Sequence, residues 1–270
     1  MESATQELKD KWNCFAGKYS QVLEEPNLQA ALSLARMTGV HSANNILEIA
    51  CGSGKLSLSL LKTLPPGVKY ISIDISEEMI KMAKGNKKAV EQKLNDNIEH
   101  EYVEADGENL SFIADESMDV VIAPLCIHLT PDPNKILKEA LRVLKKGGKL
   151  GVSVLGDPQK CTFLTLLENA LKESYKETRN QFYLGSREKL IKLVQGNGFQ
   201  VGFCWTAAIP FLVKSKEELR EFWFPTYDSE KADEQTRQIV ERMGKRFDEE
   251  MNNFRPLQTE NVLLVASKPF

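Results

Sequence analysis

Apolar positions along the chain alternate between two patterns. Short aliphatic runs of five to eight residues are separated by longer stretches in which apolar residues recur every three or four positions. The first run, Asn45-Ile46-Leu47-Glu48-Ile49-Ala50, reads as a strand, and residues 55–63 as a helix ended by Pro65-Pro66-Gly67. Residues 69–74 are strand-like. Residues 77–92 read as a helix opened by Ser76 as N-cap, with Glu77 and Glu78 in the first turn, where the helix dipole favours acids. Residues 101–105 predict a third strand and 118–123 a fourth, the latter nearly all apolar, as a strand covered on both faces requires. Residues 133–144 predict a helix that stops at Lys145-Lys146-Gly147-Gly148, before a strand over 149–155. Beyond it come helices over 163–178 and 187–196, a strand over 199–206, a charged helical segment over 211–257 and a last strand over 261–267. Strands alternating with helices at this spacing predict an α/β fold, a doubly wound, mostly parallel sheet with helices on both faces.

Composition narrows the picture. The 270 residues suffice for a single large domain with its own core, and no apolar run approaches the roughly 20 residues that span a bilayer. Lys and Arg number 35 against 38 Asp and Glu, a net charge of −3, so the broad positive field that phosphate backbones reward is missing and no nucleic-acid partner is expected. Met1-Glu2-Ser3-Ala4 opens the chain on an acid with no apolar stretch behind it, which makes a cytoplasmic address the expectation. Five cysteines (Cys14, Cys51, Cys126, Cys161, Cys204) show no Cys-x-x-Cys pair and read as reduced, mostly buried thiols; no metal site is expected. The 211–257 segment holds 7 of the 21 aromatic residues in 47 positions, a density that predicts an insertion with its own small core. Paired acids such as Glu24-Glu25 and Glu249-Glu250 read as solvated faces. Oligomeric state leaves no mark on the sequence.

Ligands of doubly wound sheets bind beyond the carboxyl ends of the strands, so the first strand-to-helix turn, Glu48-Ile49-Ala50-Cys51-Gly52-Ser53-Gly54, is the candidate site. Gly52 and Gly54 let the backbone turn sharply and a ligand approach main-chain N–H groups. A phosphate loop is excluded, because position 49 is Ile and position 56 Leu. A dinucleotide fingerprint would want Gly or Ala where Ser57 stands, and Asp74, about 20 residues on, suits either a dinucleotide or an adenosyl ligand. Asp106-Gly107 closes the third strand, where a carboxylate and a backbone N–H can read an adenine edge, although Asp-Gly alone also makes an ordinary turn.

Together these residues resemble the class I S-adenosylmethionine-dependent methyltransferases, in particular the small-molecule branch that includes the quinone-biosynthesis C-methyltransferases. The likeness covers residues 44–206 well and the remainder loosely. Glu48, Gly52 and Gly54 match the family's nucleotide turn, with Ala50 where the family usually has its first glycine. Asp74 matches the ribose-binding acid, followed by Ile75 against the adenine and Met79 behind it, and Asp106-Gly107 matches the adenine-reading pair. Residues 117–123 resemble the fourth strand and 141–150 the helix-to-fifth-strand turn. The resemblance implies a Rossmann-like, seven-stranded sheet with an antiparallel last strand and a helical insertion before it. It implies a single methyltransferase domain over 1–270: an N-terminal helical lid over 1–40, a core over 44–206 and 258–270, and an insertion over 211–257 placed to cap the acceptor. S-adenosylmethionine is the implied cofactor and a small, partly apolar metabolite the implied acceptor.

Methyl transfer from a sulfonium is an in-line displacement with an activated leaving group, so the protein supplies orientation and a water-poor site. A base is needed only where the acceptor must lose a proton. His128, in Leu125-Cys126-Ile127-His128-Leu129 just past the fourth strand, is the candidate base, with Leu125 beside the cofactor. A lone histidine among apolar residues also packs structurally. Trp12, Phe15 and Tyr19 sit at i, i+3 and i+7, an amphipathic helix face. In the family such a segment folds over the cofactor, which makes Tyr19 a candidate for cofactor contact and for catalysis. Three other readings remain open. They are methylation of RNA or protein, against which Ala123-Pro124-Leu125-Cys126 stands where amino-methylating enzymes carry Asn-Pro-Pro-Tyr; a non-catalytic cofactor-binding partner subunit; and a dehydrogenase.

Overall fold

The computed structural model describes residues 4–94, 97–170, 181–253 and 255–270. Its elements, in chain order, begin with α1 (Ala4–Lys18), a π-helical turn (Tyr19–Leu23) and α2 (Glu24–Thr38). The alternating core follows as β1 (Asn45–Ile49), α3 (Lys55–Leu60), β2 (Lys69–Asp74), α4 (Glu77–Val90), β3 (Glu99–Glu104), β4 (Met118–Ala123), α5 (Pro133–Val143) and β5 (Leu144–Leu155). Then come α6 (Thr162–Ala170), α7 (Arg187–Gly196), β6 (Gln200–Pro210), α8 (Lys216–Trp223), α9 (Glu234–Asn252) and β7 (Gln258–Ser267). The far end of the helix expected over 163–178, the first three residues and the aromatic Phe254 lie outside the described residues. Among the described residues no helix is long and apolar enough to cross a membrane.

The strands form one seven-stranded sheet in the order β3-β2-β1-β4-β5-β7-β6. β3, β2, β1, β4 and β5 run parallel, and β7 is antiparallel to both β5 and β6. Strand order reverses between β1 and β4, so their carboxyl ends open a crevice at the rim of the sheet. The helix starts were legible because their caps are conventional: Ser76 accepts from the Met79 N–H, Asp132 from that of Asn134 and Ser186 from that of Lys189.

Three sequence expectations are corrected. β5 begins at Leu144 rather than 149, because Met118 pairs with Leu144 and a register shift carries the strand on through Gly147 and Gly148. The 211–257 segment does not enclose a separate core. Phe211, Leu219, Phe222, Met243 and Phe247 join Leu34, Phe163 and Leu166 in the cluster covering one face of the sheet, and the Phe163 and Phe211 rings stack at 4.3 Å. Glu24 and Glu250 are not solvated. Both are buried, Glu24 against the β1–α3 turn and Glu250 on the inner side of α9, where Arg246 Nε lies 3.4 Å from Oε1.

Candidate active site

The turn after β1 departs from ordinary backbone at three alternate residues: φ is +59° at Ala50, +56° at Gly52 and +85° at Gly54. For Ala50 that conformation costs about 1–2 kcal/mol, a strain that glycine would not feel. The turn is held from below. Gly52 N–H donates to Asp74 Oδ2 and Ser76 N–H to Oδ1, both at 2.9 Å, so one buried carboxyl ties the β1 turn to the β2 turn. The two glycines serve different ends. A Cβ at Gly52 would stand 2.8 Å from Glu24 Oε1, whereas one at Gly54 would strike the ring and hydroxyl of Tyr102 on β3.

The N-terminal helices close the site from above. Trp12 packs edge-to-face on Phe15 at 5.8 Å and on Tyr19 at 5.6 Å, and the Tyr19 ring comes within 3.6 Å of where a Gly52 Cβ would stand. After the π-helical turn, Glu24 accepts the Ser53 N–H at 2.9 Å and the Ser53 hydroxyl at 2.5 Å. Ser76 Oγ donates to Asn13 Oδ1 at 2.7 Å and Lys9 pairs with Glu104, so α1 lies across the ends of β2 and β3.

Between lid and rim lies a cavity of about 600 Å³. Of the residues singled out in the sequence, Tyr19, Ala50, Gly52, Asp74, Ile75, Met79, Leu125 and His128 line it. Leu125 does so at φ +49°, its N–H held by Ser153 Oγ at 2.9 Å, another strained position at the rim. Glu48 lines a smaller recess that shares Tyr19, Ala50 and Gly52 with the cavity and also presents Glu24 and Asn261. Gly54, Asp106 and Gly107 are not on the wall. Asp106 accepts the Glu108 N–H at 2.8 Å in a tight turn, and a Cβ at Gly107 would meet Ile49 Cγ2 at 2.7 Å, so that glycine serves packing against β1. The sequence reading missed Glu24, Asn27, Leu164, Phe211, Trp223 and Thr259, which reach the two walls from α2, α6, α8, β7 and the segment after β6. Only the aromatic density of 211–257 signalled any of them.

Burial dominates the electrostatics. It pushes Glu48 up to about 7, against the pull of Tyr70 Oη and Ser72 Oγ, which donate to it at 2.7 and 3.0 Å. Asp74 is raised to about 6, first by burial and also by the Glu24 carboxyl, and burial raises Glu24 too. The His128 imidazole is driven down to about 3 by burial and is neutral at pH 7. The Tyr19 phenol is raised, first by burial, and stays protonated, a hydrogen-bond donor rather than a phenolate.

A carboxyl that holds its proton more tightly in the folded chain stabilises folding below its unfolded pKa, ~4.3 for glutamate. That contribution is lost as pH rises through about 7 for Glu48. Between about pH 5 and 8 the wild type is therefore expected to lose thermal stability relative to Glu48→Gln, which has nothing to ionise. Parallel melting curves against pH for the two proteins would contradict the shift.

Comparison with known proteins agrees with this geometry. A family model described as a methyltransferase domain matches residues 47–152. The ubiquinone/menaquinone biosynthesis C-methyltransferase of Rickettsia peacockii (strain Rustic) is 38% identical over 143 residues, 52% of this chain and 50% of the relative. That of Rickettsia bellii (strain OSU 85-389) is 35% identical over 158 residues, 57% and 56% of the two chains. The chain thus spans about half the length of these curated relatives. Among solved structures, the phosphoethanolamine N-methyltransferase 2 of Haemonchus contortus, in complex with phosphomonomethylethanolamine and S-adenosylhomocysteine, superposes with a TM-score of 0.61 at 16% identity, covering 100% of this chain and 61% of that one. The YcgJ protein of Bacillus subtilis gives a TM-score of 0.55 at 18% identity, covering 88% and 99%. These two show the shared fold. Fold, turn and family match converge: residues 47–152 match a methyltransferase domain, and the chain is similar to the quinone-biosynthesis C-methyltransferases over about half its length.

Proposed function

We propose that this protein transfers the methyl group of S-adenosylmethionine to a small, largely apolar metabolite by in-line displacement. The observation that carries the reading is one cavity that runs from the Gly52 and Asp74 rim to a wall of Trp12, Phe15, Leu164, Phe211 and Trp223. The residues fit the cofactor: Gly52 and Asp74 stand on the cavity wall, and two more buried carboxyls, Glu24 and Glu48, line the adjoining recess, where positive charge would be welcome. When bound, S-adenosylmethionine supplies an activated methyl on a sulfonium.

The chain's own residues bind and orient. Asp74 is assigned to the ribose, Ile75 and Met79 to the adenine side, and Glu48 with Ala50 and Gly52 to the amino-acid end. Tyr19 and the N-terminal helices cover this end and exclude water, which strengthens every polar contact inside. His128 faces the same space as a neutral imidazole. With its basicity so depressed it serves the acceptor better as a hydrogen-bonding partner than as a strong base. The helical segment 211–257, through Phe211 and Trp223, caps the acceptor end.

The test is transfer of isotopically labelled methyl from S-adenosylmethionine into a metabolite extract. Label is expected in a small molecule that partitions into organic solvent. Label confined to protein or RNA, or none at all with the cofactor bound, would overturn the proposal.

A further inference from the structure

Three buried polar atoms on residues of the large cavity's wall have no hydrogen-bond partner among the described residues: His128 Nδ1, Trp223 Nε1 and Thr259 Oγ1. They arrive from different elements, the loop after β4, the end of α8 and the second residue of β7. Thr259 is 1% and His128 5% exposed. Buried polar groups in folded proteins are nearly always paired, so three orphans around one apolar chamber mark where a ligand supplies the partners.

Their place along the sheet says which ligand. From β2, which carries Asp74, to β7, which carries Thr259, the order crosses β1, β4 and β5, four strand spacings or about 19 Å. Asp74 belongs to the cofactor end, and Thr259 with Trp223 to the far end. The charged residues on the wall, Lys11 and Asp74, both sit toward β2, since α1 packs on α4. Lys18 lies over the Phe222 and Trp223 rings, 4.7 and 5.6 Å from their centroids, but is not on the wall. Among the described residues, an anionic acceptor would find no cation at the far end of the wall. An indole N–H can only donate, whereas a threonine hydroxyl both donates and accepts.

Resting on the methyl-transfer reading above, we propose that Trp223 and Thr259 are the specificity-determining contacts for the methyl acceptor. That acceptor is an uncharged, mostly apolar molecule with at least two hydrogen-bonding oxygens, one taking the Trp223 N–H and another pairing with the Thr259 hydroxyl. Neither residue falls within 47–152, so the family match does not dictate them.

The experiment measures calorimetric binding of three probes to the full chain saturated with S-adenosylhomocysteine: 2,6-dihydroxynaphthalene, naphthalene and naphthalene-2,6-dicarboxylate. The diol is expected to bind about tenfold or more tightly than the hydrocarbon, and the dicarboxylate more weakly than either. Trp223→Phe and Thr259→Val are each expected to shrink the diol preference by about threefold or more, with the affinity for S-adenosylhomocysteine unchanged and any change in naphthalene affinity smaller than that of the diol. Equal binding of diol and hydrocarbon, a preference for the dicarboxylate, a diol preference untouched in both variants, or no probe binding at all would overturn the assignment. Failure of S-adenosylhomocysteine itself to bind would instead overturn the methyl-transfer reading.

Discussion

Replacing Asp74 with alanine is expected to weaken S-adenosylhomocysteine binding by about a hundredfold or more. Two losses combine. The Gly52 and Ser76 N–H groups, each held at 2.9 Å, lose their buried acceptor, and the two turns that shape the cofactor end are no longer tied together. Hydrogen bonds to a charged group are worth roughly 1.5–3 kcal/mol each, and a donor stranded in the interior adds its own penalty. The assigned sugar contact disappears as well. Asp74→Asn separates these effects, because an amide still accepts one backbone N–H. It is expected to recover much of the thermal stability and only a fraction of the affinity. Calorimetry on the two variants decides the matter, and wild-type affinity in the alanine variant would remove Asp74 from the cofactor site.

Gly54→Ala is expected to destabilise the fold by about 3 kcal/mol, a fall in melting temperature of about 6–12 °C. Two causes act together. The backbone there has φ +85°, where a side chain is strained, and the new methyl would stand 2.9 Å from Tyr102 Cζ and 3.2 Å from Ala83 Cβ. Tyr102 cannot swing away cheaply, because its hydroxyl is hydrogen-bonded to Ser57 Oγ at 2.7 Å and its residue is buried. Adding Tyr102→Phe removes the atom closest to the clash, so the double variant is expected to regain part of the loss. A single variant that melts with the wild type would show that β3 and α4 yield at this point.

The middle of the sheet was legible because β1, β2 and β4 are buried on both faces and are mostly apolar, Val120 to Ala123 above all. The end of β5 nearer α5 was not, because Lys145-Lys146-Gly147-Gly148 carries the chemistry of a helix stop although its backbone pairs as strand. At the site, local motifs gave Gly52, Asp74, Ile75 and Met79, all within two strand-to-helix turns. Gly54 and Gly107 stand in the same motifs, but their lack of a side chain is spent on packing against Tyr102 and Ile49. Glu24 was misread because an acid pair in a helix normally faces water, and nothing local announces that this one faces a glycine turn. Thr259 was invisible, and Trp223 was signalled only by the aromatic density of its segment, for a simpler reason. Their nearness to the rim is made by the route of the chain over a hundred residues, not by any spacing within it.

The π-helical turn at Tyr19–Leu23 carries one residue more than a regular helix would use over that span. It acts as an angular shim. Each residue of an α-helix turns the chain by about 100°, so deleting one residue from the turn would regularise the coil and swing everything upstream round by that angle. Trp12 and Phe15 would then face water while Glu24 stayed docked on Ser53, leaving a roofless chamber on an otherwise intact sheet.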